Sequence, residues 1–220
     1  MMLNSDIVKR YGIEAGASVV GIASAVSLDS APEGYRPKDI LEGCVSVIVL
    51  GIPFTRGSFD DPLLYTEVRS AAIEKIGEIE KATSKMIKKA GFKVKGINCI
   101  GGKYIDGITY GTMSLKHAAE AAGLGVIGKN YLLINPEHGT LLWFAAVLTD
   151  APLAPDERMV RDLCAGCSKC ADACPSGALD NILKFGKKGC AGRSFKYEDK
   201  KWRMDCFLCR RICPHKFGFR

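Results

Sequence analysis

Four closely spaced cysteines constrain the fold of this chain more than any other feature of its sequence. The run from Cys164 to Pro175 has the pattern C-x2-C-x2-C-x3-C-P. Three thiolates at this spacing can bind one [4Fe–4S] cubane, while the fourth, beside the proline, is directed to a second cluster. Pro175 ends the ligand loop because it has no backbone N–H and a fixed φ. The pattern therefore predicts that iron–sulfur clusters organise the C-terminal part of the chain.

A second cysteine set follows the first. Residues 206–214 have the pattern C-x2-C-x3-C-P, and a further cysteine lies upstream at position 190. The two sets together supply the ligands of two [4Fe–4S] clusters, and exchange of the cysteines that precede proline is typical of bacterial two-cluster ferredoxins. We assign the first cluster to Cys164, Cys167, Cys170 and Cys213 and the second cluster to Cys174, Cys190, Cys206 and Cys209.

Other roles for the cysteines fit the sequence less well. Disulfides would need an oxidising compartment, and we find no signal peptide at the N-terminus. Zinc sites use paired C-x2-C knuckles, which the triple run does not match. Cys44 and Cys99 lie outside both sets, and we expect them to be small core residues.

Composition and hydropathy indicate a globular protein. The chain has 220 residues, enough for one sizeable domain and one small domain. Its longest apolar runs, 44–52 and 141–148, are too short to span a bilayer and predict buried strands. We therefore expect a cytoplasmic protein with no membrane contact. The formal charge of +7 counts the cysteines as neutral, so it is compatible with an acidic partner or a polyanion but establishes neither.

Helical and strand patterns alternate in the first two thirds of the chain. This alternation predicts an α/β or α+β domain over residues 1–155, followed by a ferredoxin-like domain over residues 156–220. The long charged helix should begin at Asp61-Pro62, with its charges on a solvated face. We expect helices at 6–15, 63–90 and 115–122, and strands at 19–23, 45–50, 92–97, 131–134 and 141–148.

Two glycine-rich stretches suggest sites. Residues 101–112 form a polar loop that is long for a simple connection, so it is a candidate site loop. Residues 123–128 match G-x-G-x-x-G, but they follow a predicted helix rather than a strand. The dinucleotide-binding interpretation therefore fails on context.

A family resemblance covers nearly the whole chain. The run from Ser114 to Gly139, with residues 148–153 and the lone Cys190 between the two cysteine sets, resembles the epoxyqueuosine reductase family; respiratory reductive dehalogenases are similar at a greater distance. The resemblance implies a nitroreductase-like core that holds base-off cobalamin. It also implies that a ferredoxin or flavodoxin-like donor supplies electrons one at a time through the clusters. In that family the reaction removes an epoxide oxygen from a modified tRNA base.

The resemblance also implies site residues, with two departures. Where the family has an aspartate as proton donor, the position in register here is Thr109, and a nearby side chain would have to act instead. The helical-repeat domain that handles tRNA in longer members is missing, so the substrate could be tRNA or a small molecule. The candidate acids are Asp106, Tyr104 and Tyr110, and the candidate corrin-binding residues are Ile127, Gly128, Lys129, Asn130, Leu132, Gly139 and Thr140.

The sequence thus predicts a cobalamin-dependent iron–sulfur reductase that removes an oxygen or another leaving group. Two other functions stay open. One is an electron carrier, or a protein that reduces a corrinoid for another enzyme. The other is a flavin protein with the same core. The sequence sets neither the oligomeric state nor the order of the clusters.

Overall fold

The computed structural model describes residues 3–59, 61–99, 102–105, 108–179, 190, 194–196, 202–204 and 206–219. A four-stranded antiparallel sheet forms the centre, and short hairpins and cysteine-bearing turns surround it. The helices are α1 (Ser5–Glu14), α2 (Pro37–Ile40), α3 (Pro62–Lys89), α4 (Leu115–Ala121), α5 (Lys169–Asp172) and α6 (Leu208–Arg211). The strands are β1 (Val19–Ser24), β2 (Ser46–Pro53), β3 (Val94–Ile97), β4 (Lys103–Ile105), β5 (Ile108–Tyr110), β6 (Val126–Ile127), β7 (Leu133–Ile134), β8 (Leu142–Thr149), β9 (Ser194–Lys196) and β10 (Trp202–Met204).

The central sheet decides between the two predicted fold classes. Its strand order is β1-β2-β8-β3, and every neighbouring pair is antiparallel. Classical α/β sheets are parallel because a helix crosses over between successive strands. The predicted mixture of helices and strands is confirmed, and the antiparallel sheet of this core matches the α+β form of that prediction.

The longest helix, α3, begins as the sequence predicts. The Asp61 carboxylate accepts a hydrogen bond from the backbone N–H of Leu64 at 2.7 Å, and Pro62 occupies the first helical position. Both features satisfy or remove donors that a helix N-terminus otherwise leaves unpaired. Helix α1 is capped by the Asn4 side chain, which accepts a hydrogen bond from the backbone N–H of Ile7 at 2.9 Å.

Strand β2 is buried on both faces and explains the continuous apolar run. Ile48 and Leu50 face the apolar cluster that contains residues of α1 and α3. Val47 and Val49 face the opposite cluster, to which α4 contributes. Burial of each large apolar side chain contributes about 2 kcal/mol to folding. The sheet is therefore the middle of three layers, and the predicted buried strands 45–50 and 141–148 are confirmed within a few residues.

Two short elements differ from the sequence predictions. The stretch 101–112, expected to be a loop, contains the hairpin of β4 and β5, with Lys103 paired to Tyr110. The strand expected at 131–134 is reduced to Leu133 and Ile134, because Tyr131 has a positive φ of 56° in the preceding turn. Within the described residues, no helix has the length and apolar character needed to cross a lipid bilayer.

The cysteine-bearing part packs directly on the core. The ring of Phe207 stacks on that of Tyr65 from α3, with centroids 4.4 Å apart and an interplanar angle of 23°. The backbone N–H of Phe219 donates to the carbonyl of Pro136 at 2.8 Å, and that of Thr140 donates to Lys216 at 3.2 Å. Buried aromatic pairs and backbone hydrogen bonds of this kind fix relative orientation. The cysteines are therefore held at defined positions against the sheet.

Candidate functional site

The four cysteines assigned to the first cluster line one small cavity. Cys164, Cys167 and Cys170 come from the turn around α5, and Cys213 reaches the same cavity from the turn after α6. Among the described residues, no three His, Cys, Asp or Glu side chains converge on a point where one metal ion would bind. A cubane needs a different arrangement, because each thiolate binds its own iron. Thiols around a shared cavity fit this requirement.

The turn at 128–130 closes over these cysteines. The backbone N–H of Lys129 points at Cys164 Sγ, with a nitrogen–sulfur distance of 3.5 Å, and its Nζ donates to the carbonyl of Cys167 at 3.0 Å. Hydrogen bonds to ligand sulfurs are among the factors that set cluster potentials. A Cβ on Gly128 would lie 3.4 Å from Cys164 Sγ but only 2.8 Å from Ile134 Cδ1, so it is the core side of this turn that leaves little room for a side chain.

Three of the four cysteines assigned to the second cluster share another wall. Cys190, Cys206 and Cys209 line a large cavity of about 1020 Å³ between the cysteine turns and the core. Cys174 lines neither this cavity nor the small one; its Sγ lies 3.6 Å from Ser176 Oγ. Helix α5, which carries Cys170, packs on α6, which carries Cys209. The two thiol sets are therefore neighbours.

Electrostatics make three of these thiols poor anions without a metal. Burial raises the pKa of Cys209 to about 11, and the neighbouring thiols of Cys190 and Cys206 push it in the same direction. Burial also raises the pKa values of Cys170 and Cys213, again with nearby cysteines adding to the effect. Several thiolates in one poorly solvated space repel each other unless cations neutralise them. Iron supplies that charge.

The large cavity has the features of a cofactor site. Its volume lies at the upper end of the range for ligand pockets. Leu132 and Thr140 line it, together with apolar residues of β8 such as Leu142 and Phe144. The Thr140 hydroxyl is buried and has no hydrogen-bond partner among the described residues. A buried unpaired hydroxyl is unfavourable until a bound group satisfies it, so the cavity fits a large cofactor that carries polar substituents.

The other predicted corrin-binding residues do not line the large cavity. Gly128 and Lys129 contact the first cysteine set, and Asn130 Nδ2 donates to the carbonyl of Cys209 at 3.1 Å. The N–H of Ile127 donates to the Glu120 carboxylate at 2.8 Å, and Gly139 lies against the backbone of residues 215–216. Four of the five therefore contact the cysteine-bearing part, while the partner of Ile127 belongs to the core.

The three predicted proton donors belong to the chain segment of the β4–β5 hairpin. Tyr110 lines the large cavity, while Tyr104 belongs to β4 of the same hairpin. Asp106 follows β4 in the chain and is outside the described residues.

Sequence reasoning missed a serine–histidine pair on this wall. Ser114 Oγ lies 2.6 Å from His117 Nδ1, and both residues line the large cavity. Burial, followed by the charge of Lys116, lowers the pKa of His117, so the imidazole is neutral at pH 7. The i, i+3 spacing at the start of a helix was the available signal for their contact.

Comparison with known proteins agrees with this geometry. The 4Fe–4S binding domain model matches residues 159–180. Epoxyqueuosine reductase from Bacillus subtilis is 34% identical over 120 residues, which are 49% of this chain. The chain is similar in sequence to the epoxyqueuosine reductases. The predicted resemblance is therefore confirmed. A second epoxyqueuosine reductase, from Listeria monocytogenes, is 35% identical over 118 residues. These alignments cover 30% and 31% of the two relatives, so the chain matches about a third of their length.

Solved epoxyqueuosine reductases share the fold over almost the whole chain. One of them, bound to an epoxyqueuosine-modified tRNA stem loop, gives a TM-score of 0.68 over 98% of this chain and 66% of its own, at 21% identity. A catabolic reductive dehalogenase in complex with 3-bromo-4-hydroxybenzoic acid gives a TM-score of 0.61 over 77% of this chain and 24% of its own, at 23% identity. Identities this low establish a common fold only.

Proposed function

We propose that this chain is a cytoplasmic, cobalamin-dependent iron–sulfur reductase that removes an oxygen or another leaving group from its substrate. One observation carries the proposal. A cavity of about 1020 Å³ has cysteines assigned to a [4Fe–4S] cluster in one wall and residues of the core in the other. An electron carrier needs a cluster near its surface but does not need such a cavity. A reductase needs a cluster that delivers electrons and also a cavity that holds its cofactor and substrate.

The cofactor set follows from the cavity and the relatives. Two [4Fe–4S] clusters, bound as assigned above, would pass electrons from a ferredoxin or flavodoxin-like donor. Bound cobalamin would supply a low-potential cobalt centre for the reduction. The core would be nitroreductase-like, with Leu132 and Thr140 in contact with the corrin. The contacts at Gly128, Lys129, Asn130 and Gly139 would hold the cysteine turns against that site, and Ile127 would position the adjoining strand through Glu120.

The arrangement supports an order of electron transfer. Three of the four thiols of the second set line the large cavity, whereas the first set lines a separate small cavity. Electrons would therefore enter at the first cluster and leave from the second. The packing of α5 on α6 keeps the two clusters adjacent.

The reaction consumes two electrons together with one or two protons, depending on the leaving group. Reductive loss of a leaving group X takes two electrons and one proton to give C–H and X⁻, and loss of an epoxide oxygen takes two electrons and two protons to give an alkene and water. The donor supplies the electrons through the clusters. Tyr110, Tyr104 and Asp106 are the proposed proton donors, since tyrosine and aspartate are ordinary general acids. The substrate would be a modified tRNA base or a small molecule.

Substitution of the proposed acids distinguishes the enzyme hypothesis from the electron-carrier hypothesis. In the reconstituted protein, Asp106→Asn and Tyr110→Phe should each lower turnover by about 10²-fold or more, because general acids contribute that much. Iron and corrinoid contents should stay unchanged. The assay would supply methyl viologen as the donor and, as substrates, an epoxyqueuosine stem loop and 3-bromo-4-hydroxybenzoate, the ligand of the similar dehalogenase.

Two substitutions on α1, outside the cavity lining, serve as matched controls. Asp6→Asn and Tyr11→Phe make the same chemical changes there and should leave turnover at the wild-type level. The carrier alternative has one observation in its favour, the threonine at position 109 where the family has an aspartate. Unchanged electron transfer and the absence of substrate turnover in all variants would establish the carrier instead.

A further inference from the structure

Arg69 lies in the wall of the large cavity and is held in one orientation. It projects from α3, and its guanidinium carbon lies 4.9 Å from the centre of the Trp143 ring. Trp143 is itself fixed, because its indole N–H donates to Cys99 Sγ and its ring stacks on Phe54 with centroids 5.5 Å apart. A guanidinium over the face of an indole is attracted by the ring, and this contact uses none of its N–H donors.

The charged side chains of the cavity wall all carry positive charge. Among the described lining residues there is no aspartate or glutamate, while Arg69, Lys116 and Arg210 all line the cavity. Lys116 Nζ donates to the carbonyl of Tyr131, and Arg210 Nη1 donates to that of Thr140. Both of these cations therefore hold the backbone of the wall itself.

Arg69 differs from the other two cations. Within the described part of the chain it neither donates to a backbone carbonyl, as Lys116 and Arg210 do, nor forms an ion pair with a carboxylate. The residue is half-buried, with its guanidinium beside the indole, where a charge lacks the full solvation of bulk water. A cavity wall in which one arginine has neither kind of partner among the described residues is complementary to an anionic group.

We propose that Arg69, stacked on Trp143, binds a carboxylate or phosphate group of the ligand that occupies this cavity. The inference rests on the proposed function for the nature of that ligand. An arginine suits this role because its planar fork matches both anions with two parallel hydrogen bonds, whereas lysine offers a point charge. The anion could be the phosphate in the nucleotide arm of the corrinoid, or a group on the substrate.

The first arm of the test asks whether the corrinoid supplies the anion. Binding of cobalamin and of cobinamide, which lacks the nucleotide phosphate, would be measured with cluster-loaded wild type, Arg69→Gln and Arg69→Lys. If the corrinoid phosphate is the ligand group, Arg69→Gln should weaken cobalamin binding about tenfold or more, the effect of losing a charged hydrogen bond. Cobinamide binding should change less than about twofold, and Arg69→Lys should be intermediate for cobalamin.

The second arm asks whether the substrate supplies the anion. Benzoate, phenyl phosphate and the neutral isostere benzamide would be titrated by calorimetry into cluster-loaded protein, with and without corrinoid. A substrate-anion site predicts that wild type prefers the two anions over benzamide and that Arg69→Gln removes this preference, again by about tenfold. The matched control is Lys75→Gln, which removes a positive charge from the exposed side of the same helix, where Lys75 pairs with Glu78.

The outcomes separate this proposal from the proposed function. A wild-type protein that retains no cobalamin contradicts the proposed function, while the second arm still decides the role of Arg69. The proposal is overturned if Arg69→Gln matches Lys75→Gln both in its ratio of cobalamin to cobinamide affinity and in its ratio of anion to benzamide affinity. Equal thermal unfolding midpoints of the two variants show that the comparison concerns binding rather than folding.

Discussion

Cys209→Ala is expected to halve the iron content of the reconstituted protein, from about eight to about four atoms per chain. Cys209 is assigned to the second cluster, and its side chain lies among Cys190 and Cys206 at the wall of the large cavity. A cubane normally needs all four of its protein thiolates, so the second cluster should fail to assemble when one of them is removed. The first cluster should persist, because its four cysteines line a separate cavity.

The functional loss in Cys209→Ala should exceed the loss of iron. If the second cluster is the one that faces the cavity, its removal should lower substrate turnover by at least about 10³-fold, since no other route delivers low-potential electrons. Iron and sulfide analysis with EPR of the reduced protein would measure the first effect. The control is Cys44→Ala, in which the lost thiol is buried under β2 and belongs to neither set. Retention of about eight irons by Cys209→Ala would contradict the assignment.

Gly139→Ala should weaken the packing of the cysteine-bearing part on the core. Gly139 has a φ of +55°, and a Cβ there would lie 2.3 Å from the carbonyl oxygen of His215 and from backbone atoms of Lys216. Neither backbone segment can rotate away as a side chain could. We expect the free energy of unfolding to fall by about 3 kcal/mol or more, combining a strained φ with overpacking.

A second glycine separates the energetic cost of the clash with residues 215–216 from the cost of backbone strain. Gly43 also has a positive φ, +78°, but a Cβ there meets no atom within 4 Å. Gly43→Ala should therefore cost only about 1–2 kcal/mol, the strain of the left-handed conformation. Urea unfolding of both variants measures the difference, and iron incorporation should fall in Gly139→Ala alone. Equal destabilisation of the two variants would show that the contact with residues 215–216 has no stabilising role.

The features that the sequence predicts well are local ones. Cysteine spacing, the Asp61-Pro62 helix start and the apolar run of β2 each depend on residues close together in the chain, and the structure contains the corresponding elements. The antiparallel order of the sheet depends on contacts between distant segments, such as that of Val49 with Ala146. Periodicity alone carries no information on such pairing.

The candidate site shows the same limit of sequence-based prediction, namely that contacts between distant segments cannot be predicted from local patterns. Leu132 and Asn130 are two residues apart, yet only Leu132 lines the large cavity, while Asn130 binds the carbonyl of Cys209. The positive φ of Tyr131 between them turns the chain. Arg69 belongs to a charged helix expected to be solvated, and only the approach of Trp143 from β8 gives it a different environment. The partner that decides each role is far away in sequence.

Anaerobic reconstitution with iron, sulfide and cobalamin tests the central proposal most directly. After desalting, the protein would be analysed for metals and by UV–visible and EPR spectroscopy. A cobalamin-dependent iron–sulfur reductase should retain about eight irons and one base-off Co(II) signal per chain. About eight irons with no retained cobalt would contradict the assignment of cobalamin to the large cavity and leave electron transfer without an organic substrate as the function.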